Sequence, residues 1–279
     1  MQAISPPILP YLLTASLYAF LGLHFWRTRW PRTAAGAPEG IRVWERAALA
    51  LALLLHGSVL YGELFGGGMM RFGFSVALSL MLWLAVLIYW VESFHARLEG
   101  LQPLALPLAG VCVLLPILFP GQHLLTNVDS TIFRVHFFIA MAAYSLFTLA
   151  ALHAIIMAVA ERRLHRGELT RPLTRLPPLL TMESLLFRLI TIAFILLTLT
   201  LISGIAFSET LFGKALEFNH KTLLSILSWL IFAALLVGRY VWGWRGRKAV
   251  HWTLTGFVVL LLAYVGSRFV LEVVLGRAG

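Results

Sequence analysis

The sequence predicts an all-α fold, a polytopic membrane bundle of about eight transmembrane helices with both termini outside the cytoplasm. Of its 279 residues, 60% are hydrophobic and 12% are charged, and the mean hydropathy is +0.87. A soluble domain has about 45–50% apolar and about 25% charged residues, so this chain has too few polar groups to cover a water-exposed surface. The composition is therefore that of an integral membrane protein.

The apolar residues are gathered into windows long enough to cross a bilayer, which needs about 20 residues at a rise of about 1.5 Å each. Four prolines edge or interrupt the fourth window and leave its ends poorly defined, whereas the fifth is long enough to project from the bilayer. We treat residues 1–279 as one membrane domain, with four helices in 1–131 and four in 132–279. The windows are 7–26, 47–64, 73–92, 104–119, 132–159, 183–207, 220–241 and 252–275.

The distribution of Lys and Arg gives the orientation. Alternate loops and their adjoining helix ends carry sixteen of these residues, and the opposite side carries six. Cytoplasmic loops hold the excess of positive charge, so the richer side is cytoplasmic and both termini are outside. The formal charge of +10 is then a sign of topology, and we expect no nucleic acid as a partner. The six outer residues are Arg71, Arg134, Lys214, Lys221, Arg268 and Arg277.

Several functional classes lack support in the sequence. The single cysteine, Cys112, excludes an intrachain disulfide, a thiolate metal cluster and a C-x-x-C-H haem attachment site. Nucleotide-binding glycine motifs, the G-x-S-x-G motif of serine hydrolases and the H-E-x-x-H motif of zinc proteases do not occur. No Asp or Glu falls in the middle of a predicted span, which counts against a proton-coupled transporter.

Histidines are the candidate functional residues. His136 lies about four residues inside the outer end of the fifth window, and His220 begins the seventh window at the same side. Two imidazoles at one level on different helices can ligate a haem iron from opposite faces. Arg134, Lys214 and Lys221 lie at the same edge and can pair with haem propionates. The alternative for each histidine is a hydrogen bond to backbone or to interfacial water.

Four further histidines enter as alternatives. His123, in the outer loop, competes with His220 as the second ligand. His56 lies near mid-depth in the second window, and His24 and His153 lie in the inner thirds of the first and fifth. Two of these three can form a second haem position inside the membrane. The interpretation we favour for them is one interhelical hydrogen bond each.

The longest basic connection is the predicted cytoplasmic loop 160–182, ERRLHRGELTRPLTRLPPLLTME. Its ordinary interpretation is a solvated determinant of topology with some attraction to anionic headgroups. The alternative is a docking surface for a cytoplasmic partner.

Four ordered blocks resemble the cytochrome c assembly family of membrane proteins typified by CcsA, and within it the shorter YpjD and HemX type. The resemblance covers roughly residues 132–275. It implies a multi-pass protein of the bacterial inner membrane that binds haem b, with apocytochrome c or other assembly proteins as partners. The blocks are RVHFFIAMAAYSLFTLAALHAI, LLFRLITIAFILLTLTLISGIAF, SWLIFAALLVGRYVWGWRGRK and LLAYVGSRF.

The chain departs from the family pattern at the outer face. The family's Trp-Asp-Pro-Lys-Glu segment falls on FNHKT, residues 218–222, so only Lys221 is retained. His136 matches the first external histidine of the family. The second external histidine of the family has no counterpart in this chain, and the position of the family's intramembrane histidine in helix seven is occupied by Val237. We therefore expect His220 to replace the missing ligand.

The loss of the Trp platform predicts a protein that binds or relays haem and is not an enzyme. The alternative function is a non-catalytic scaffold or regulator, as HemX-type proteins are for a tetrapyrrole-synthesis enzyme, or for another membrane complex. In that case the loop 160–182 would matter more than the histidines.

Overall fold

The computed structural model describes residues 8–29, 41–66, 70–94, 100–120, 130–165, 179–212 and 220–276. Each predicted window corresponds to a helix in these ranges, which confirms the all-α polytopic fold. The helices are α1 (Ile8–Arg29), α2 (Val43–Phe65), α3 (Phe74–Glu92), α4 (Gln102–Leu118), α5 (Thr131–His165), α6 (Leu179–Phe212), α7 (His220–Trp242) and α8 (Gly246–Val274).

Seven of these helices are long and apolar enough to cross a membrane, and α4 is apolar but has only 17 residues. The prolines in α4 do not end it, because Pro107 and Pro116 both lie inside the helix. Helix α5 has 35 residues, which at about 1.5 Å each gives a length of about 52 Å. It is therefore much longer than a hydrocarbon core of about 30 Å, as its window predicted.

The helices form two compact units. Helices α1–α4 belong to one and α5–α8 to the other, with the division between Leu125 and Thr126. In the first unit, α1 and α4 approach closely at glycines. A Cβ at Gly22 would lie 2.7 Å from Cγ of Pro107, and one at Gly110 would lie 3.3 Å from Cβ of Tyr18. Small residues allow such close helix packing inside a membrane, where dispersion contacts drive association.

In the second unit, α5 packs against α6 and α8, and α7 also packs against α6 and α8. Helices α5 and α7 are therefore on a diagonal of the four-helix unit. They meet through Phe147 and Phe232, whose stacked rings have centroids 4.0 Å apart and whose side chains have no exposed surface. We call these two residues the aromatic pair. Gly256 of α8 closes the contact, because its backbone lies directly against the Phe232 ring.

The turn between α7 and α8 depends on glycine. Gly243 and Gly246 have φ of +63° and +52°, a left-handed conformation that costs other residues energy. The Trp244 N–H donates to the Gly238 carbonyl over 3.0 Å, a bond that ties the turn back to the last part of α7. The Trp244 ring then covers Gly238, where a Cβ would approach it to 2.4 Å.

A buried ion pair joins α6 to this turn. The Glu183 side chain is 8% exposed, and its Oε1 lies 2.5 Å from Nη1 of Arg239 and 3.1 Å from Nε of Arg245. The Arg239 guanidinium also lies 4.6 Å from the ring centroid of Phe187, a cation–π contact. The end of the unit predicted to be cytoplasmic is therefore held by charge as well as by packing.

We expect Gly256→Val to destabilise the α5–α8 unit. A Cβ at Gly256 would lie 2.8 Å from Cζ of Phe232, and overpacking of a filled core costs about 1–3 kcal/mol. Thermal unfolding of the purified protein in detergent measures the loss. The control is Gly62→Ala in α2, where nothing lies within 4 Å of the added Cβ. A lower melting temperature for the Gly62 variant than for the Gly256 variant would contradict the packing.

A second stability prediction concerns Glu183. Removing one partner of a buried ion pair costs about 3–5 kcal/mol, so Glu183→Gln should lower the unfolding free energy strongly. Arg245 is 60% exposed, and Arg245→Gln should cost less than about 1 kcal/mol. The same detergent unfolding assay compares the two. Equal losses of unfolding free energy in the two variants would show that Glu183 is not the central residue of its ion pairs with Arg239 and Arg245.

Candidate functional site

His136 lies near the start of α5, at the end predicted to be outside the cytoplasm, and contacts α6. Its Nδ1 is 2.9 Å from Oγ of Ser203, and the Ser203 hydroxyl donates its own hydrogen to the Thr200 carbonyl over 3.1 Å. The Thr200 backbone is also a hydrogen-bond partner of His136. If the Ser203 hydroxyl donates to Thr200, its oxygen accepts from Nδ1–H, and the lone pair of the imidazole is then on Nε2.

That tautomer is one of the two in which a neutral histidine can bind a metal. A ligating imidazole presents one nitrogen to the ion and fixes its orientation by donating the other N–H to a neighbouring oxygen. Gly204 contributes space for the ring, since a Cβ there would lie 3.3 Å from Cε1 of His136. The two residues Ser203 and Gly204 thus orient and accommodate the His136 side chain.

The aromatic pair allows the depth of the outer residues to be compared. Helices α5 and α7 run in the same direction, because α6 returns the chain between them. His136 precedes Phe147 by eleven residues, and Lys221 precedes Phe232 by the same number. Eleven residues rise about 16 Å and complete three turns plus about 20°. His136 and Lys221 therefore lie at one level, each on the face of its helix that carries the aromatic pair.

His220 lies at this level but on another face of α7. It is twelve residues before Phe232, which turns it about 120° away from the face with the aromatic ring. The side chain is exposed, whereas Lys221 is partly buried. The structure thus confirms neither His220 nor its alternative, His123, as the second ligand. His123 and Lys214 lie outside the described residues.

Arg134 is exposed and two residues before His136. On an α-helix this spacing turns it about 160° away from the His136 side chain. It therefore lies at the correct end of α5 but on a different side of the helix. Lys221 is better placed than Arg134 to meet a ligand inside the four-helix unit.

A cluster that the sequence analysis missed surrounds Lys221. Its Nζ is 5.9 Å from the ring centroid of Tyr264, and Arg268 and Glu272 are near enough for their charges to act on it. The charges of Arg268 and Glu272 also act on the Tyr264 hydroxyl. We name Lys221, Tyr264, Arg268 and Glu272 the outer charged cluster. Its signal in the sequence is the four-residue spacing of Tyr264, Arg268 and Glu272, which places them on one helix face.

The backbone of α8 is irregular beside this cluster. Two π-helical segments, Leu262–Gly266 and Val270–Val274, flank the single α-helical stretch Ser267–Phe269. Such π turns are rare and are frequently found at functional sites. Arg268 stands between them and is only 7% exposed.

The deeper histidines are engaged in hydrogen bonds. His56 is fully buried, and its Nδ1 and Nε2 lie 3.2 Å from the Tyr18 hydroxyl and 2.9 Å from Oγ of Ser79. His153 Nε2 donates to the Met182 carbonyl over 2.8 Å. These contacts are the interhelical hydrogen bonds that the sequence analysis favoured for these residues, and at His56 they use both ring nitrogens.

His24 forms a different arrangement near the C-terminal end of α1. Its Nε2 lies 2.9 Å from Oε1 of Glu45, a carboxylate that is 1% exposed. The Arg42 N–H donates to the other oxygen of Glu45 over 2.7 Å, and the Trp44 ring packs edge-on against the imidazole. This pair joins α1 to the start of α2. It is a structural contact in the first unit.

Among the described residues, no group of three or more His, Cys, Asp or Glu side chains surrounds a common point. A cluster of this kind would hold a metal ion with protein ligands alone. Haem needs only one or two axial ligands from the protein, since the porphyrin supplies the other four. The central part of the loop 160–182, residues 166–178, lies outside the described residues.

Comparison with known proteins gives the family. Residues 44–275 match the family described as Cytochrome C assembly protein. Over 239 residues the chain is 31% identical to the inner membrane protein YpjD of Escherichia coli (strain K12), covering 83% of this chain and 89% of that protein. It is 28% identical over 270 residues to an uncharacterized 28.8 kDa protein of Azospirillum brasilense, covering 95% of each.

A shorter match links the chain to a cytochrome c biogenesis protein. It is 40% identical over 88 residues to CcsA of Prochlorococcus marinus (strain MIT 9301), which covers 32% of this chain and 28% of that protein. The similarity to YpjD and the seven membrane-capable helices confirm a multi-pass protein of the bacterial inner membrane. The match over residues 44–275 confirms the resemblance and extends it into the first unit, so the chain belongs to the cytochrome c assembly protein family.

Proposed function

We propose that this protein binds haem b at the outer end of the α5–α8 unit and holds or relays it during cytochrome c assembly. Family membership relates the chain to cytochrome c biogenesis. The observation that carries the finer proposal is the contact of 2.9 Å between Nδ1 of His136 and Oγ of Ser203, an outer partner of the kind that orients a ligating histidine. The role is binding and transfer, without formation or cleavage of a covalent bond, so the protein is not an enzyme.

The residues fit the chemistry of the group. Haem brings an iron that accepts imidazole nitrogen, a flat apolar macrocycle and two carboxylates. His136 would supply an imidazole nitrogen to the iron. Lys221 lies at the level of His136, on the face of the diagonal helix α7 that carries the aromatic pair. An ammonium at this position can bind a propionate by a charge-assisted hydrogen bond. Arg134, exposed at the same end of α5, is the proposed partner of the second carboxylate at the surface.

His220 would be the second protein ligand of the haem iron. It lies at the level of His136 and begins α7, where the helix end allows the imidazole more freedom than a position inside the helix would. Its exposed position fits a ligand that is exchanged when haem passes to a recipient. Apocytochrome c or another assembly protein is the proposed recipient at this face.

The histidines are tested by the visible spectrum of the purified protein supplied with haem. We expect His136→Ala to abolish the low-spin Soret band, because it removes the oriented ligand. His220→Ala should retain haem in a five-coordinate, high-spin form, because only the exchangeable ligand is lost. The control is His251→Ala, an exposed histidine near the start of α8 whose Nδ1 hydrogen-bonds the Arg247 carbonyl.

An unchanged low-spin band in both the His136 and the His220 variants would overturn the proposal. If the wild-type protein carries and accepts no haem, while cross-linking through the loop 160–182 captures a partner, the scaffold or regulator function is correct instead. The His251 variant should match the wild type throughout.

Ser203 provides a separate test. Removing an outer partner of a ligating histidine typically lowers metal affinity about 10–100-fold, so Ser203→Ala should weaken haem binding while leaving His136 in place. A titration followed by absorbance measures the affinity. Thr198→Ala is the matched control on α6, because its hydroxyl bonds to Trp229 and not to His136. Equal haem affinity in the wild type and the Ser203 variant would show that Ser203 does not orient a ligand.

A further inference from the structure

We propose that the turn between α7 and α8 binds the headgroup of an anionic phospholipid in the cytoplasmic leaflet of the membrane. The turn lies at the opposite end of its unit from His136, so this proposal does not depend on haem binding. It also concerns a different segment from the loop 160–182, whose central part lies outside the described residues. We name the following five residues the turn surface: Trp242, Trp244, Arg247, Lys248 and Trp252.

The turn lies at the depth where headgroups begin. Helix α7 has 23 residues and therefore spans about 34 Å at about 1.5 Å each. This length just exceeds a hydrocarbon core of about 30 Å, so Trp242, its last residue, lies at the boundary predicted to be cytoplasmic. Gly243 and Gly246, with φ of +63° and +52°, then reverse the chain. The side chains of the turn are thus held close to this level.

Three tryptophan rings form a row across the turn surface. The rings of Trp242 and Trp244 have centroids 5.9 Å apart and planes 27° apart, and the centroids of Trp244 and Trp252 are 5.2 Å apart. Trp242 is 66% exposed. Tryptophan is enriched at membrane–water interfaces because its large ring is apolar while its N–H is polar. The row therefore offers an apolar contact to the glycerol and upper acyl part of a lipid.

Two exposed cations stand at the edge of this row. Nζ of Lys248 lies 5.8 Å from the ring centroid of Trp244, a cation–π contact that keeps the ammonium beside the tryptophans. Arg247 is its neighbour in the chain, and both side chains are exposed. Arg245 is also 60% exposed, although its Nε lies 3.1 Å from Oε1 of Glu183. The first turn of α8 thus presents positive charge next to an apolar aromatic surface.

The nature of the ligand follows from this combination. Ammonium and guanidinium groups bind phosphate oxygens through charge-assisted hydrogen bonds, and basic side chains at the cytoplasmic surface attract anionic lipid. A phospholipid brings its phosphate and its apolar part to the same depth in one molecule, as the turn surface requires. A zwitterionic lipid has the same phosphate but brings a cationic group close to Arg247 and Lys248. We therefore expect a preference for phosphatidylglycerol over phosphatidylcholine.

The experiment measures by native mass spectrometry how much of each lipid the purified full chain retains from micelles that contain both in equal amounts. The wild type should retain more phosphatidylglycerol. Lys248→Gln and Arg247→Gln should each lower this preference about fivefold, which corresponds to about 1 kcal/mol for each basic residue near the surface. Lys248→Arg keeps the charge and should keep the preference.

The matched control is Arg42→Gln, which removes an exposed arginine before α2 on the same predicted side of the membrane. This variant should retain the wild-type preference, because Arg42 does not belong to the turn surface. Trp242→Ala should reduce the retained amount of both lipids, because it removes the exposed apolar contact and leaves the cations in place. All of these side chains are exposed, so the variants should fold like the wild type.

Three results would overturn the proposal. The first is a wild-type protein that retains the two lipids equally, including one that binds a soluble protein at the turn instead. The second is an unchanged preference in both Lys248→Gln and Arg247→Gln. The third is an equal loss in Arg42→Gln, which would show a diffuse attraction to positive charge. His136→Ala should keep the lipid preference, so failure of the proposed haem function leaves this test intact.

Discussion

The stacking of Phe147 on Phe232 is the contact on which the geometry of the outer site depends. Helices α5 and α7 are diagonal in their unit, and this pair, 4.0 Å between centroids, joins them directly. Because the two helices are parallel and pinned at one point, residues at equal distance from the pair share a level. His136 and Lys221 are both eleven residues outward. The aromatic contact thus sets which polar groups face each other.

Within an apolar bundle, the hydrogen-bond partners of a histidine determine what it can do. His56 has a hydroxyl within hydrogen-bonding distance of each ring nitrogen, so both nitrogens serve the packing of α1, α2 and α3. At His136 the printed contact is with one neighbouring helix, where Oγ of Ser203 lies 2.9 Å from Nδ1. A single oxygen partner on one ring nitrogen is also what orients a ligating imidazole. The same residue type thus links three helices at one position and two at the other.

Much of the fold could be predicted because the bilayer imposes a length on each helix. All eight apolar windows correspond to helices, and the unusual length of the fifth window is repeated in the 35 residues of α5. Less of the site could be predicted. The sequence showed Arg268 only as one of six outer basic residues, since nothing in a linear pattern reveals that α7 brings Lys221 against α8.

The sequence alone determined the membrane class, the number of apolar helices and the family, because these depend on composition, window length and ordered motifs. It also brought His136 and His220 to one depth, which follows from the rise per residue. Tertiary structure decided which of the outer residues face the interior. Rotation about a helix axis matters as much as depth, and a shift of one residue turns a side chain by about 100°. Lys221 therefore faces the bundle, whereas its neighbour His220 is exposed.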